Sequence, residues 1–145
     1  MRIRSSEPSL QTITHRTMTP EVEQAIKELR ETFPGHSIEV VPDKEGVAYV
    51  VVGGVELGEQ FKPTVTWVGF HITFQYPSSD VYPHFVDCTI KKGDGTEIPR
   101  DGVSGPVAWQ GRSALQLSRR SKRLNPATDT AALKLSKVIQ WLKSK

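Results

Sequence analysis

Few side chains in this 145-residue chain are suited to covalent or acid–base chemistry. The single thiol is Cys88, and a thiolate is a good acyl acceptor because it is nucleophilic near neutral pH and leaves readily. Cys88 sits at period two with Val86 and Ile90 in an apolar run, so it is expected on the inward side of a strand as a buried structural residue. Ser113 and Ser118 are the hydroxyl candidates. Each can accept an acyl group as an oxyester if a base or a strong local field activates it. Arg112, Arg119 and Arg120 flank them and can stabilise an oxyanion or grip an acidic partner. No base stands beside the serines in sequence. His84 is the nearest idea for one, although a lone histidine at a strand start is more often structural. Both serines equally suit turn and capping hydrogen bonds. Asn125 can orient a carbonyl, but Asn125-Pro126 is also an ordinary turn former. Asp129 reads as a helix cap.

Apart from Cys88 and His84, these candidates cluster between Gly111 and Asp129, in the most basic part of the chain. Residues 111–145 hold nine of the 19 Lys/Arg and one of the 16 Asp/Glu, a local net of +8, while residues 1–110 carry −5. A basic end on an acidic body attracts phosphate polymers or an acidic protein face. The patch lacks interleaved aromatics apart from Trp141, and no nucleic-acid reader motif appears, so nucleic acid is the weaker partner. One cysteine excludes an internal disulfide and a cysteine-based metal cluster, and fits a reducing cytoplasm. No cofactor or metal is implied. No run of about 18 apolar residues exists, which argues against a membrane span. Arg2 and Arg4 are followed by no apolar region, which argues against a signal peptide.

The elements that would position the cluster follow from periodicity. Residues 1–18 read as a flexible arm and residues 19–145 as one domain. Thr19-Pro20-Glu21 starts a helix, with Val22, Ala25, Ile26, Leu29 and Phe33 on one face and Pro34-Gly35 as the stop. Ser37–Val41 and Val47–Val52 form a hairpin that ends at Gly53-Gly54. Thr64–Tyr76 reads as a long strand with a bulge at Gly69. His84–Ile90 is another strand, and Thr96–Arg100 leaves the Gly93-Asp94-Gly95 turn. Residues 101–128 read as an irregular segment. A last helix, capped by Asp129 or Thr128, shows Leu135, Val138, Ile139 and Leu142 as a stripe. The expected class is α+β: an N-terminal helix, an antiparallel meander of about four strands, an irregular segment that would hold an active site, and a C-terminal helix.

That order resembles the ubiquitin-conjugating (E2/UBC) fold. Tyr76-Pro77, the Pro-bounded loop after it and the strand from His84 resemble the "YP…PP" passage of that family. Leu124-Asn125-Pro126 before the last helix resembles its "WSP" passage. Gly111–Arg120 with Asp129 resembles the "G…W…SRH…PG.D" pattern of the prokaryotic E2-like family E. The resemblance implies a bacterial ubiquitin-like conjugation pathway. Its partners would be an E1-like activating protein, a ubiquitin-like protein and a target protein. The protein would accept the activated ubiquitin-like C-terminus and pass it to a target amine. Aligning Leu115-Gln116-Leu117 with the run after the family's cysteine puts Ala114 at that cysteine's position, and the "HPN" motif is missing. The acceptor would then be Ser118 or Ser113 as an oxyester, or a nucleophile replaced at Ala114, with Arg119, Arg120, Asn125 and His84 in support. The alternative is a non-catalytic module that binds the ubiquitin-like protein or the E1.

Overall fold

The computed structural model describes residues 18–43 and 46–145. The N-terminal arm, save Met18, therefore lies outside the described residues, as do Lys44 and Glu45. Met18 packs against the core. The first helix, α1, spans Pro20–Thr32. The Thr19 hydroxyl accepts the Val22 N–H at 3.0 Å, and Pro20, Glu21 and Glu23 fill the first turn. Proline loses nothing there, and the acids favour the positive end of the helix dipole. Val22, Ala25, Ile26 and Leu29 form its buried face.

Among the described residues six strands form one antiparallel sheet, two more than the sequence suggests. They are β1 (Ile38–Pro42), β2 (Ala48–Glu56), β4 (Val65–Ile72), β5 (His84–Asp87), β7 (Val103–Trp109) and β8 (Arg112–Leu117), in the order β1-β2-β4-β5-β8-β7. The short strands β3 (Phe61–Lys62) and β6 (Lys91–Lys92) pair separately. The last helix, α2, spans Ala131–Lys143. Both helices lie on one face of the sheet. The main core there joins Leu29 and Val22 of α1, Leu135, Val138 and Leu142 of α2, and Val50, Phe70, Val86, Leu115 and Leu117 of the strands. The other face carries a smaller cluster of Val51, Phe85, Trp109 and Ala114, flanked by Tyr49, Trp67 and Val107.

Several boundaries differ from expectation, each for a physical reason. β2 runs through Gly53-Gly54 instead of stopping there. The pair forms a bulge between Val52 and Val55, and Gly54 takes φ +70°. No bulge occurs at Gly69. Its missing side chain instead makes room for Trp109, whose ring would lie 2.2 Å from a Cβ built there. β4 ends at Ile72, where its neighbour β2 begins at Ala48, so the last ladder position is used up. Beyond it Phe74 stands 59% exposed. β5 ends at Asp87 because that carboxylate accepts the Thr89 N–H at 2.9 Å and the Thr89 hydroxyl at 3.0 Å. This local turn competes with the ladder. Cys88 therefore lies in a turn, half-buried against the core, and not on a strand. Residues 96–100 form no strand, although Ile98 is buried.

The largest correction concerns residues 101–117. They are no irregular segment but mostly the β7–β8 hairpin. Gln110 (φ 49°) and Gly111 (φ 75°) make its two-residue turn, which suits the twist of paired strands. Gly105-Pro106 sits where the register shifts between Ser104 and Val107 on the edge strand, a place where proline costs no ladder bond. β8 then pairs with β5 through Ala114↔Asp87 and Leu117↔His84.

Candidate anion-binding site

The irregular part of the stretch is 118–130, and a buried ion pair holds it. Lys134, on the core-facing side of α2, is 8% exposed at its side chain, and Asp80, in the loop after β4, is 17% exposed. The Lys134 ammonium donates to both Asp80 oxygens, at 2.9 and 3.0 Å, and to the Ser121 hydroxyl oxygen at 2.9 Å. Ser121 in turn gives Asp80 its backbone N–H at 2.7 Å and its hydroxyl at 2.9 Å. Burial alone would push the Asp80 carboxyl up. The Ser121 N–H, the Lys134 ammonium and the Ser121 hydroxyl outweigh it and hold Asp80 below its usual range. Both charges are thus kept and satisfied, which a buried pair requires. A second tie closes the segment's far end. The Asp129 carboxylate accepts the Asn125 N–H at 2.7 Å, the Asn125 side-chain oxygen accepts the Ala127 N–H at 3.0 Å, and Thr130 caps α2 by accepting the Leu133 N–H at 3.1 Å. The cap is therefore Thr130, one residue past the expected Asp129. Tyr76 adds a third tie, its hydroxyl accepting the Ala131 N–H at 2.9 Å.

With the segment held, its basic side chains surround a cleft of about 390 Å³ lined by Arg119–Arg123, Asp129, Lys134 and Lys137. The Arg120 guanidinium lies 4.3 Å from the Tyr82 ring centre and that of Arg119 lies 5.8 Å from the Trp141 ring. A ring face attracts a guanidinium placed over it and limits where it can go. A separate groove of about 400 Å³, which shares Asp129 with the cleft, is lined by Tyr76, Pro126 and by Glu21 and Glu28 of α1.

The expected site residues are not brought together. Arg119 and Arg120 line the cleft. Ala114 is fully buried in β8, on the sheet face away from the helices. Ser113 is exposed on the same strand, while Ser118 lies past its end, with its N–H bonded to Gly102 O at 2.8 Å and its hydroxyl 3.5 Å from Gln116 Nε2. Among the described residues neither hydroxyl has an acid or base as hydrogen-bond partner. Arg112 is far from the cleft arginines in role: it lies 5.0 Å over Trp67 and pairs with Glu39 at 3.5 Å. His84 is fully buried, and neither ring nitrogen meets a protein hydrogen-bond partner. Burial first, then the Lys134 charge, push its pKa down to about 3 against the pull of Asp80, so the ring is neutral at neutral pH.

Sequence reasoning missed Asp80, Ser121, Lys134 and Lys137. Lys134 carried a signal, because it falls three residues after Ala131 and four before Val138, on the buried stripe. Its partner Asp80 lies 54 residues away and carried none. Among the described residues no group of His, Cys, Asp or Glu is arranged to hold a metal ion, and no helix is long and apolar enough to cross a membrane. Set against family models, curated proteins and solved structures, the chain finds no match in any of the three.

Proposed function

We propose that this protein is a non-catalytic, E2-like binding module of a bacterial ubiquitin-like conjugation pathway. It holds an E1-like activating protein or the ubiquitin-like protein and forms no bond with either. The N-terminal helix, the antiparallel run β1-β2-β4-β5 and the C-terminal helix support the E2-like half of this reading, and the β7–β8 hairpin departs from the expected order. The observation that carries the non-catalytic half is Ala114. It is 0% exposed, laddered between Asp87 and Val107 and covered within the Trp109–Phe85 cluster. A nucleophile at that position has no path to a thioester or an activated carboxyl. Ser113 and Ser118 lack the base that a hydroxyl needs near neutral pH. The +8 end of the chain suits an acidic partner face, which would be drawn in by long-range attraction. The reading puts the protein in the cytoplasm, where a lone free cysteine is stable.

The test mixes the protein with the E1-like protein, the ubiquitin-like protein and ATP, and follows both calorimetric binding and a denaturing gel. Binding without an adduct is the expected result. An adduct that resists thiol reductant but is cleaved by hydroxylamine means a serine oxyester and makes the protein an acyl carrier. A thiol-labile adduct means that Cys88 is the acceptor. Loss of both binding and adduct would remove the pathway altogether.

A further inference from the structure

We propose that the basic cleft is a binding site for a small molecule carrying a chain of two or three linked phosphates. The proposal goes beyond the module reading and does not rest on it, since the cleft exists whatever the wider partner is. Its first support is uncompensated charge. Arg119, Arg120, Lys122, Arg123 and Lys137 line the cleft, and none forms an ion pair among the described residues. Lys134 is already matched by Asp80, and Asp129, held by the Asn125 N–H, sets one negative charge against the other five cations. Among the described residues the lining of this cleft of about 390 Å³ thus keeps an excess of positive charge. Like charges at such density repel unless an anion is present.

The second support is charge per volume. The terminal phosphate of a chain brings about 1.5 to 2 negative charges near neutral pH and each internal one about one, joined through a single oxygen, whereas each carboxylate of an acidic peptide brings one and carries its own backbone into the space. Linked phosphates therefore neutralise this cleft in a smaller volume than glutamate or aspartate side chains. The cleft also falls in the usual size range of small-molecule pockets, about 300 to 1,000 Å³. The third support is preorganisation. Arg120 is held over Tyr82, 4.3 Å from its ring centre, and the Asp80–Lys134–Ser121 tie fixes the backbone that carries it. Held guanidinium forks suit bidentate contact with phosphate oxygens.

Calorimetric titration of the full chain at about 150 mM salt, where loose surface attraction is largely screened, tests this. Inorganic tripolyphosphate should bind more tightly than pyrophosphate, and pyrophosphate more tightly than orthophosphate. Arg120→Gln and Arg123→Gln should each weaken tripolyphosphate by about tenfold, and Lys91→Gln, outside the cleft, should leave it unchanged. Both arginines are exposed, and an unchanged thermal midpoint of each unliganded variant shows that the fold is kept. The proposal is overturned if tripolyphosphate binds no better than orthophosphate. It is equally overturned if Lys91→Gln weakens binding as much as the cleft variants do, or if an oligoglutamate peptide or a single-stranded oligonucleotide binds more tightly under the same conditions. Failure here leaves the module reading standing, since that is read from the protein partners and not from free phosphates.

Discussion

Lys134 shows how one side chain can govern the geometry of a loop it does not belong to. It stands on the buried stripe of α2, where an ammonium is costly unless paired and hydrogen-bonded. Asp80 and Ser121 meet that need and, in doing so, bring the loop after β4 and the 118–130 segment onto the helix. Removing one partner leaves the other charge buried, so Lys134→Ala or Asp80→Ala should destabilise the protein by about 3 kcal/mol in urea unfolding. The Asp80 pKa is below its unfolded value of 3.8. Its stabilising contribution is therefore complete above that value and is lost as pH falls through the lower folded value. His84 acts over a higher window. It stays neutral in the folded protein down to about pH 3 but binds a proton near 6.5 when unfolded. Stability should therefore fall as pH drops from 6.5 towards 3, by up to about 1.4 kcal/mol per unit from this group. His84→Leu removes the titration and two unpartnered nitrogens, and it should flatten that slope in urea unfolding series at successive pH values. A slope equal to that of the unmodified protein would contradict the assignment.

At the scale of elements, the β7–β8 hairpin decides what the central stretch can do. It turns residues 112–117 into a strand laddered on both sides, which buries Ala114 and ties Ser113 into the ladder through its carbonyl and Cys88 N–H. Trp109 fastens the hairpin to the sheet's outer face, stacked 4.9 Å from Phe85 and 6.1 Å from Trp67 at their ring centres. Gly69 of β4 is the floor under that ring. Gly69→Ala should push Trp109 out of place, cost about 1–3 kcal/mol and shift the tryptophan fluorescence. An unchanged spectrum and stability would mean that the ring has room to spare. The hairpin was hard to see in the sequence because Gly105-Pro106 reads as a break. On an edge strand with a register shift, the pair interrupts nothing that needs a ladder bond. By contrast α1 was legible to within a residue or so. Its cap, its first-turn proline and its four buried apolar residues are all local signals.

For the whole molecule, the division between an acidic body and a basic C-terminal end is the property that partners would meet first. If docking depends on it, affinity for an acidic partner should fall when salt rises from about 50 to about 200 mM, while the thermal midpoint of the free protein, set mainly by the apolar core between helices and sheet, should change little. Calorimetry of binding and of unfolding separates the two. Salt-independent binding would place recognition elsewhere, away from the basic end. The sequence by itself determined the α+β class, both helices and the location of the excess positive charge. Caps, proline positions, hydrophobic periods and charge counts act over a few residues and are written in order along the chain. Only the tertiary structure decided that β8 inserts between β5 and β7, that Ala114 is sealed, and that Asp80 meets Lys134. Those outcomes depend on which strand edges find each other and on which buried charges find a partner. Such choices are settled by pairing across 27 residues for Asp87 and Ala114, and across 54 for Asp80 and Lys134, distances at which no local pattern reports.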